Sequence, residues 1–252
     1  MARASVPPLT AAAAGAAYLA ALLALDRALD HGSSGEIRQL GLGAVTWIVL
    51  FAVLSQVSIE RRVQALGVVV FATIGEVTGS LVWGVYSYRL HNLPVFVPAA
   101  HGLVYLTGVA LSTALRRHIR PLVLAAATTA AVWGLLGVTV LPRRDVAGAV
   151  GVPLLLVFLW RSRNRAVYAA VFLVVASLEL YGTALGTWRW KETLPGLGIP
   201  DGNPPSGVAS GYVWFDVMAL LTAPAVLGAL RRWRSSSTPP AAERPEPSTT
   251  PA

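Results

Sequence analysis

The sequence predicts an all-α fold, a polytopic helical membrane protein with about eight transmembrane helices. Three observations carry that expectation. The 252 residues are 55% hydrophobic and only 13% charged, with a mean hydropathy of +0.61, which is membrane-protein composition rather than that of a soluble domain. The apolar residues fall into stretches near the ~20 residues a bilayer requires. Between them lie short arginine clusters, Arg61-Arg62, Arg116-Arg117, Arg143-Arg144, Arg161/Arg163/Arg165 and Arg231-Arg232, where loop ends meet anionic headgroups. The net charge of +8 is therefore assigned to the lipid bilayer as partner, and nucleic acid is not expected. With no cysteine in the chain, disulfides, thiolate chemistry and cysteine-held metals are excluded.

In chain order the spans fall at roughly 9–25, 39–58, 65–86, 94–115, 121–141, 146–160, 166–188 and 209–229, each judged against the bilayer length. The first is Ala-rich and follows Arg3, so a signal-peptide core is its alternative reading. The third carries Glu76 in mid-span, and the fourth opens on Pro94-Val-Phe-Val-Pro98. The sixth is the shortest. The seventh carries Glu179, and the eighth follows a Pro/Gly loop, Gly202-Asn203-Pro204-Pro205-Ser206-Gly207, which shapes a turn or lids a cavity. Residues 1–234 thus form one transmembrane domain, and the Ser/Thr/Pro-rich tail 235–252 is expected to be disordered. Eight spans put both termini on one side. That side collects thirteen of the 20 Lys and Arg residues, which favours a multi-pass cell-membrane protein with cytoplasmic termini.

The halves echo one another. Glu76 and Glu179 are each followed three residues later by glycine, Gly79 and Gly182, then by aromatics, Trp83/Tyr86/Tyr88 and Trp188/Trp190. A proline-bearing segment comes next in each half. The following spans carry His101 and Tyr105 in one half, Tyr212 and Asp216 in the other. Four spans per half preserve orientation, so a 4+4 parallel internal repeat is expected, covering about 9–115 and 121–229. The spacing of Glu76, Gly79, Trp83 and Tyr86 places them on one helical face.

Bland readings stand beside this one. The aromatics fall where an interfacial belt is expected, and the glycines suit close helix approach. His101 fits interfacial water as well as a site. The carboxyls are harder to dismiss, because an intramembrane acid is functional by default. Two carboxyls in an apolar pocket do not both ionise easily. A neutral acid can protonate an alkene, aromatic faces stabilise the cation by roughly 2 kcal/mol per desolvated contact, and the second acid or His101 serves as base. Glu76, Glu179, Asp216 and His101 are the expected catalytic residues. Trp83, Tyr86, Tyr88, Tyr105, Trp188, Trp190 and Tyr212 are the expected substrate-binding ones. No Asp-rich Mg²⁺ motif, HExxH, GxSxG or Walker loop occurs, so neither metal nor cofactor is expected.

Glu76-x-x-Gly79 with Gly84, Tyr86-x-Tyr88 and Pro94-Val-Phe-Val-Pro98 resembles the membrane carotenoid hydratases of the bacterioruberin-pathway type. Gly186-Thr-Trp188-Arg-Trp190, Gly198-Ile-Pro200, Asn203 and Gly211-Tyr212 look like that family's second block, in which aspartate usually stands where this chain has Glu179. The small membrane-embedded terpene cyclases are the neighbouring resemblance. The resemblance implies a metal-independent isoprenoid hydratase (a lyase) or cyclase acting on a carotenoid-like or terpenoid membrane lipid. The rival expectations are a proton- or cation-coupled carrier and a non-enzymatic membrane assembly partner.

Overall fold

In a hydrocarbon environment every backbone N–H and C=O must be paired within its own segment, so the Ala-, Leu- and Val-rich stretches wind into helices. The computed structural model describes residues 6–29 and 33–236. Its helices are α1 (Pro8–Ala28), α2 (Ser33–Gln56), α3 (Ile59–Glu76), α4 (Phe96–Ala114), α5 (Ile119–Thr139), α6 (Val146–Arg161), α7 (Arg165–Leu185) and α8 (Val208–Ser236), with two short strands, β1 (Tyr86–Tyr88) and β2 (Trp188–Trp190). Seven of the helices are long and apolar enough to cross a membrane, and α6, at 16 residues, is the shorter eighth. At 1.5 Å per residue α6 reaches about 24 Å, short of the ~30 Å hydrocarbon core. The chain is a polytopic helical membrane protein. Arg3 and the tail from 237 onward, for which disorder is expected, lie outside the described residues.

Local chemistry sets the helix limits. Ser58 caps α3 by accepting the Arg61 N–H at 3.3 Å, and Asp145 caps α6 by accepting that of Gly148 at 3.0 Å. α4 and α7 form the buried centre. α1, α2 and α3 pack on α4, and α8 lies along α3 and α7. Without a hydrophobic force between helices in lipid, small residues allow the close approach. A Cβ built at Gly108 of α4 would stand 3.0 Å from the backbone of Val171 on α7. Large apolar side chains such as Ile48, Phe51, Leu135, Val150 and Trp160 face outward, as lipid contact requires.

Two expected spans, 65–86 and 166–188, overrun the observed helices. Beyond Glu76 the helix widens into a π-helical turn, Val77–Val82, and Gly84 at φ +71° turns the chain. Gly186 at φ +73° ends α7 in the same way. Only glycine adopts this left-handed conformation without strain. Tyr86 therefore does not share a helical face with Glu76, Gly79 and Trp83, contrary to the spacing. The segments beyond the glycines instead pair antiparallel, with Tyr86 opposite Trp190, Ser87 opposite Arg189 and Tyr88 opposite Trp188.

This ribbon defines one end of the bundle, the strand end, where polar clasps bind the loops. Gln39 donates to Asp26 at 2.6 Å, Asn92 donates to Gln39 at 2.7 Å, and Arg89 donates to the carbonyls of Asp26 and Leu29 at 2.7 and 3.0 Å. Arg143 donates to the carbonyls of Asp201, Trp190 and Lys191. Asp145 accepts three backbone N–H groups, those of Gly148, Gly202 and Ser206. The Pro/Gly loop is thus anchored at both Asp145 and Arg143.

Asp201 lies buried beside this clasp. Burial and the nearby Asp145 charge push its carboxyl from 3.8 up to about 7, against the pull of Arg143. A raised folded-state value means that the unfolded chain loses its proton first as pH rises. The stabilising contribution is therefore complete below about pH 4 and gone above about pH 7. Thermal midpoints in detergent are expected to fall across that window, and Asp201→Asn is expected to flatten the fall. An unaltered slope in the variant would discard Asp201 as its source.

Candidate functional site

The second half of α3, the start of α4, the end of α7 and the start of α8 enclose a cavity of about 570 Å³ beneath the strand ribbon. Its walls are almost wholly carbon, completed by Leu19, Leu22 and Leu23 of α1. Glu76 projects into it from the last turn of α3. Its Oε2 accepts the hydroxyls of Tyr86 at 2.6 Å and Tyr88 at 2.7 Å. Burial and the Glu76 charge push both phenols up, so they remain donors at any physiological pH. The other oxygen, Oε1, lies 3.3 Å from His101 Nε2, an ion-pair distance without hydrogen-bond alignment. His101 Nδ1 is 2.8 Å from the Val97 carbonyl. A carbonyl only accepts, so Nδ1 carries a proton and Nε2 faces Glu76. Glu76 Oε1 and His101 Nε2 are therefore the two facing groups of the site able to hold a proton between them.

Glu179 occupies the corresponding place on α7. Its Oε2 accepts the indole N–H of Trp188 at 2.9 Å and that of Trp190 at 3.4 Å. Each strand thus turns its first and third residues onto the acid of its own half, as the two-residue period of a strand allows. The glycine three residues after each acid makes room for the ring. A Cβ at Gly79 would lie 2.9 Å from the Tyr86 ring, and one at Gly182 would lie 2.1 Å from that of Trp188. These glycines seat aromatic rings on a carboxyl and are not helix–helix contacts. The first strand aromatic, Tyr86 or Trp188, follows its acid by ten residues in the first half and by nine in the second. The π-helical turn in the first half accommodates the additional residue. Outside this motif the halves differ: α1 packs on α4 and α7, whereas α5 packs on α6 and α7.

The rings around the acids form two contacting groups, Tyr86, Tyr88, Trp188 and Trp190 in the ribbon and His101, Tyr212 and Phe215 between α4 and α8. Tyr86 and Trp190 lie 4.4 Å apart, and His101 stacks on Tyr212 at 5.0 Å and 12°. Trp83 lines the cavity and donates to the Pro195 carbonyl at 3.0 Å. Of the expected site residues, Glu76, Glu179, His101, Trp83, Tyr86, Tyr88, Trp188, Trp190 and Tyr212 all line the cavity. Tyr86 and Tyr88 are buried and so form no interfacial belt, whereas Trp83 is 45% exposed. Tyr105 and Asp216 do not line it and lie one turn further along α4 and α8. Phe215, which stacks edge-on against His101 and Tyr212, escaped the sequence reading, although its three-residue spacing from Tyr212 places it on the same helical face.

Replacing Gly182 tests this seating. Gly182→Ala is expected to push Trp188 off Glu179 and cost about 1–3 kcal/mol as an overpacked site. Gly79→Ala, which meets only a ring edge at a longer distance, is expected to cost less. Thermal midpoints and the red shift of tryptophan emission read both effects. Pairing Gly182→Ala with Trp188→Leu should recover much of the loss, and a wild-type midpoint in Gly182→Ala alone would refute the account.

Fold and cavity together define the class, a polytopic helical membrane protein that holds two buried glutamates and a histidine in an aromatic chamber. The chain matches no protein-family model, curated protein or solved structure in the comparisons with known proteins.

Proposed function

We propose that this protein is an integral membrane enzyme that performs acid-initiated hydration or cyclisation of a carotenoid-like or terpenoid lipid, with its arginine-rich end in the cytoplasm. The observation that carries the reading is the chamber's composition and its open side. Two acids and a histidine sit in a carbon-walled cavity, and its rim includes Ile74, Trp83 and Trp214, which are 58, 45 and 50% exposed. On this reading an apolar chain dissolved in lipid would pass these exposed side chains to reach the acids without crossing water. A volume of about 570 Å³ is in the range that encloses a drug-sized molecule, enough for one end of a long chain whose remainder stays in the membrane. Three strand-end arginines, Arg27, Arg89 and Arg143, are engaged with backbone carbonyls. That internal use explains their place opposite the arginine-rich end and supports the cytoplasmic assignment of that end.

In this mechanism the Glu76–His101 pair delivers its shared proton to a substrate double bond. The resulting carbocation lies against the faces of Tyr86, Trp188 and Tyr212, each contact contributing roughly 2 kcal/mol when desolvated. Glu179 then takes a proton, either from water attacking the cation or from a neighbouring carbon, giving the alcohol or the ring. Protons balance, and the acid and base exchange them within the chamber before the next turnover. The rival reading is a proton-coupled carrier, favoured by the buried Asp216 on the side of the chamber away from the ribbon.

Mass spectrometry of membrane lipids from a host making polyprenyl and carotenoid precursors tests the proposal. A lipid gaining one water, or changing retention at constant mass, only with the wild-type chain supports it. Identical extracts at equal expression, together with proton flux through proteoliposomes, would transfer the assignment to the carrier.

A further inference from the structure

The seam between α3 and α8 is closed at one end and open at the other. Toward the arginine-rich end small residues bring the helices together, and a Cβ built at Gly67 of α3 would stand 3.1 Å from that of Ala219 on α8. Nearer the ribbon the phenyl ring of Phe215 fills the seam, its tip 2.5 Å from where a Cβ on Gly75 would be. As the α3 number rises from 67 to 75 the α8 number falls from 219 to 215, so the helices are antiparallel. The next α8 residue on this stripe, Gly211, therefore comes level with the π-helical turn that begins at Val77. There the contact ends. Gly211 is exposed, and a Cβ built on it meets no neighbouring atom within 4 Å.

This gap opens into the chamber. Gly211, Trp214 and Phe215 on α8, and Ile74, Gly75 and Thr78 on α3, recur at helical spacing and all line the cavity. Ile74 and Trp214 are exposed and belong to spans long and apolar enough to cross a membrane, so the surface around the gap meets lipid. None of the described lining residues is Arg or Lys, and nothing there balances the charge of a phosphate headgroup. What fits the gap is uncharged hydrocarbon. Glycine also weakens a helix relative to alanine, so its presence inside one calls for a reason. At Gly75 the reason is the Phe215 ring; at Gly211 no protein atom uses the space.

We propose that Gly211 is the threshold of a lateral doorway between α3 and α8, through which the hydrocarbon end of a membrane lipid enters the chamber. Phe215 bounds the doorway on the side away from the ribbon. Its ring stands edge-on to His101, with centroids 6.2 Å apart, and so leads from the lip to the Glu76–His101 pair. The inference rests on the proposed function only in taking the chamber as the place where an apolar chain binds. It does not require that chain to react.

A photoreactive probe tests the doorway: a linear isoprenoid hydrocarbon with a terminal diazirine, dissolved in phosphatidylcholine proteoliposomes that hold the full-length protein. After irradiation, peptide mass spectrometry is expected to find adducts on Glu76, Glu179 and Tyr212 in the chamber, and on Val150 and Trp160, which face outward. Gly211→Ala, Gly211→Met and Gly211→Leu add volume into open space and replace a poor helix former with good ones. The fold is therefore expected to hold, which far-ultraviolet dichroism checks, and if one variant misfolds the other two carry the series. Chamber adducts should fall in that order, by about tenfold in Gly211→Leu, one decade of occupancy, while those on Val150 and Trp160 stay constant. Wild-type chamber labelling in Gly211→Leu would overturn the doorway, as would the absence of chamber labelling from the wild-type protein. Chamber adducts that depend on Gly211, without any lipid conversion, would uphold the doorway and end the enzymatic reading. Conversion by Gly211→Leu at the wild-type rate would do the opposite.

Discussion

Glu76→Gln is expected to abolish lipid conversion while leaving the protein folded. Glutamine has the same shape, and its amide oxygen can still accept the hydroxyls of Tyr86 and Tyr88, which reach Oε2 at 2.6 and 2.7 Å. Its NH₂ then faces His101 Nε2, which is a bare acceptor because Nδ1 holds its proton against the Val97 carbonyl. Every hydrogen bond of the cage survives, so stability should change by no more than about 1 kcal/mol, the net worth of one such bond. What disappears is the ionisable carboxyl beside His101 Nε2. Loss of a positioned general acid costs about 10²–10⁴-fold in rate, which in a cell extract reads as disappearance of the product. Glu179→Gln is expected to fall in the same range. The double variant should be little worse than either single one, because the two acids act as a unit. Lipid mass spectrometry at matched expression checks this. Normal conversion by both single variants would end the acid-initiated mechanism, whereas loss of conversion with loss of the fold would make Glu76 structural.

Much of this was legible in the sequence, for reasons specific to lipid as solvent. The helices were readable because hydrocarbon leaves the backbone no other pairing. The acids stood out because an ionisable group in such a helix is rare. The motif of acid, glycine and two aromatics was visible as a pattern in both halves, but its geometry was not. A helical period carried through Gly84 puts Tyr86 on the face of Glu76 by the wrong route. The chain instead reverses at φ +71° and returns Tyr86 to Glu76 from a strand. Period alone does not reveal a π-helical turn or a left-handed glycine. Tyr105 and Asp216 matched one another in sequence as His101 and Tyr212 do, yet neither lines the cavity, although Val104 and Met218 beside them do. Hydropathy marks a span without saying which of its side chains face a cavity. Arg143 passed as a loop charge and Asp145 drew no reading, because their partners, 58 and 57 residues away, are backbone groups with no sequence signature.

Asp145→Ala is expected to be the most destabilising single change outside the helix contacts. The side chain is 1% exposed. Its Oδ1 accepts the N–H groups of Gly148 and Gly202, each at 3.0 Å, and its Oδ2 accepts that of Ser206 at 2.6 Å. Alanine leaves all three buried donors unpaired at about 1–3 kcal/mol each and removes the α6 cap, worth about 1 kcal/mol. Relaxation and water will recover part of this, so the net loss should be about 3–5 kcal/mol, the scale seen when a buried charge network is broken. Asparagine discriminates the cause. With its oxygen in the Oδ1 position it keeps both glycine contacts and sets its NH₂ against the Ser206 N–H, so Asp145→Asn should lose roughly half as much. The damage should also be local. Ser206 leads directly into α8, whose Tyr212 stacks on His101, so release of the loop disturbs the chamber's α8 wall before its α3 wall. Hydrogen exchange should therefore speed up at Gly202 and Ser206 and in the first turn of α8, and remain at the wild-type rate through α3 and α4. A loss below about 1 kcal/mol in Asp145→Ala, the worth of a single bond, would show that Asp145 does not hold this loop.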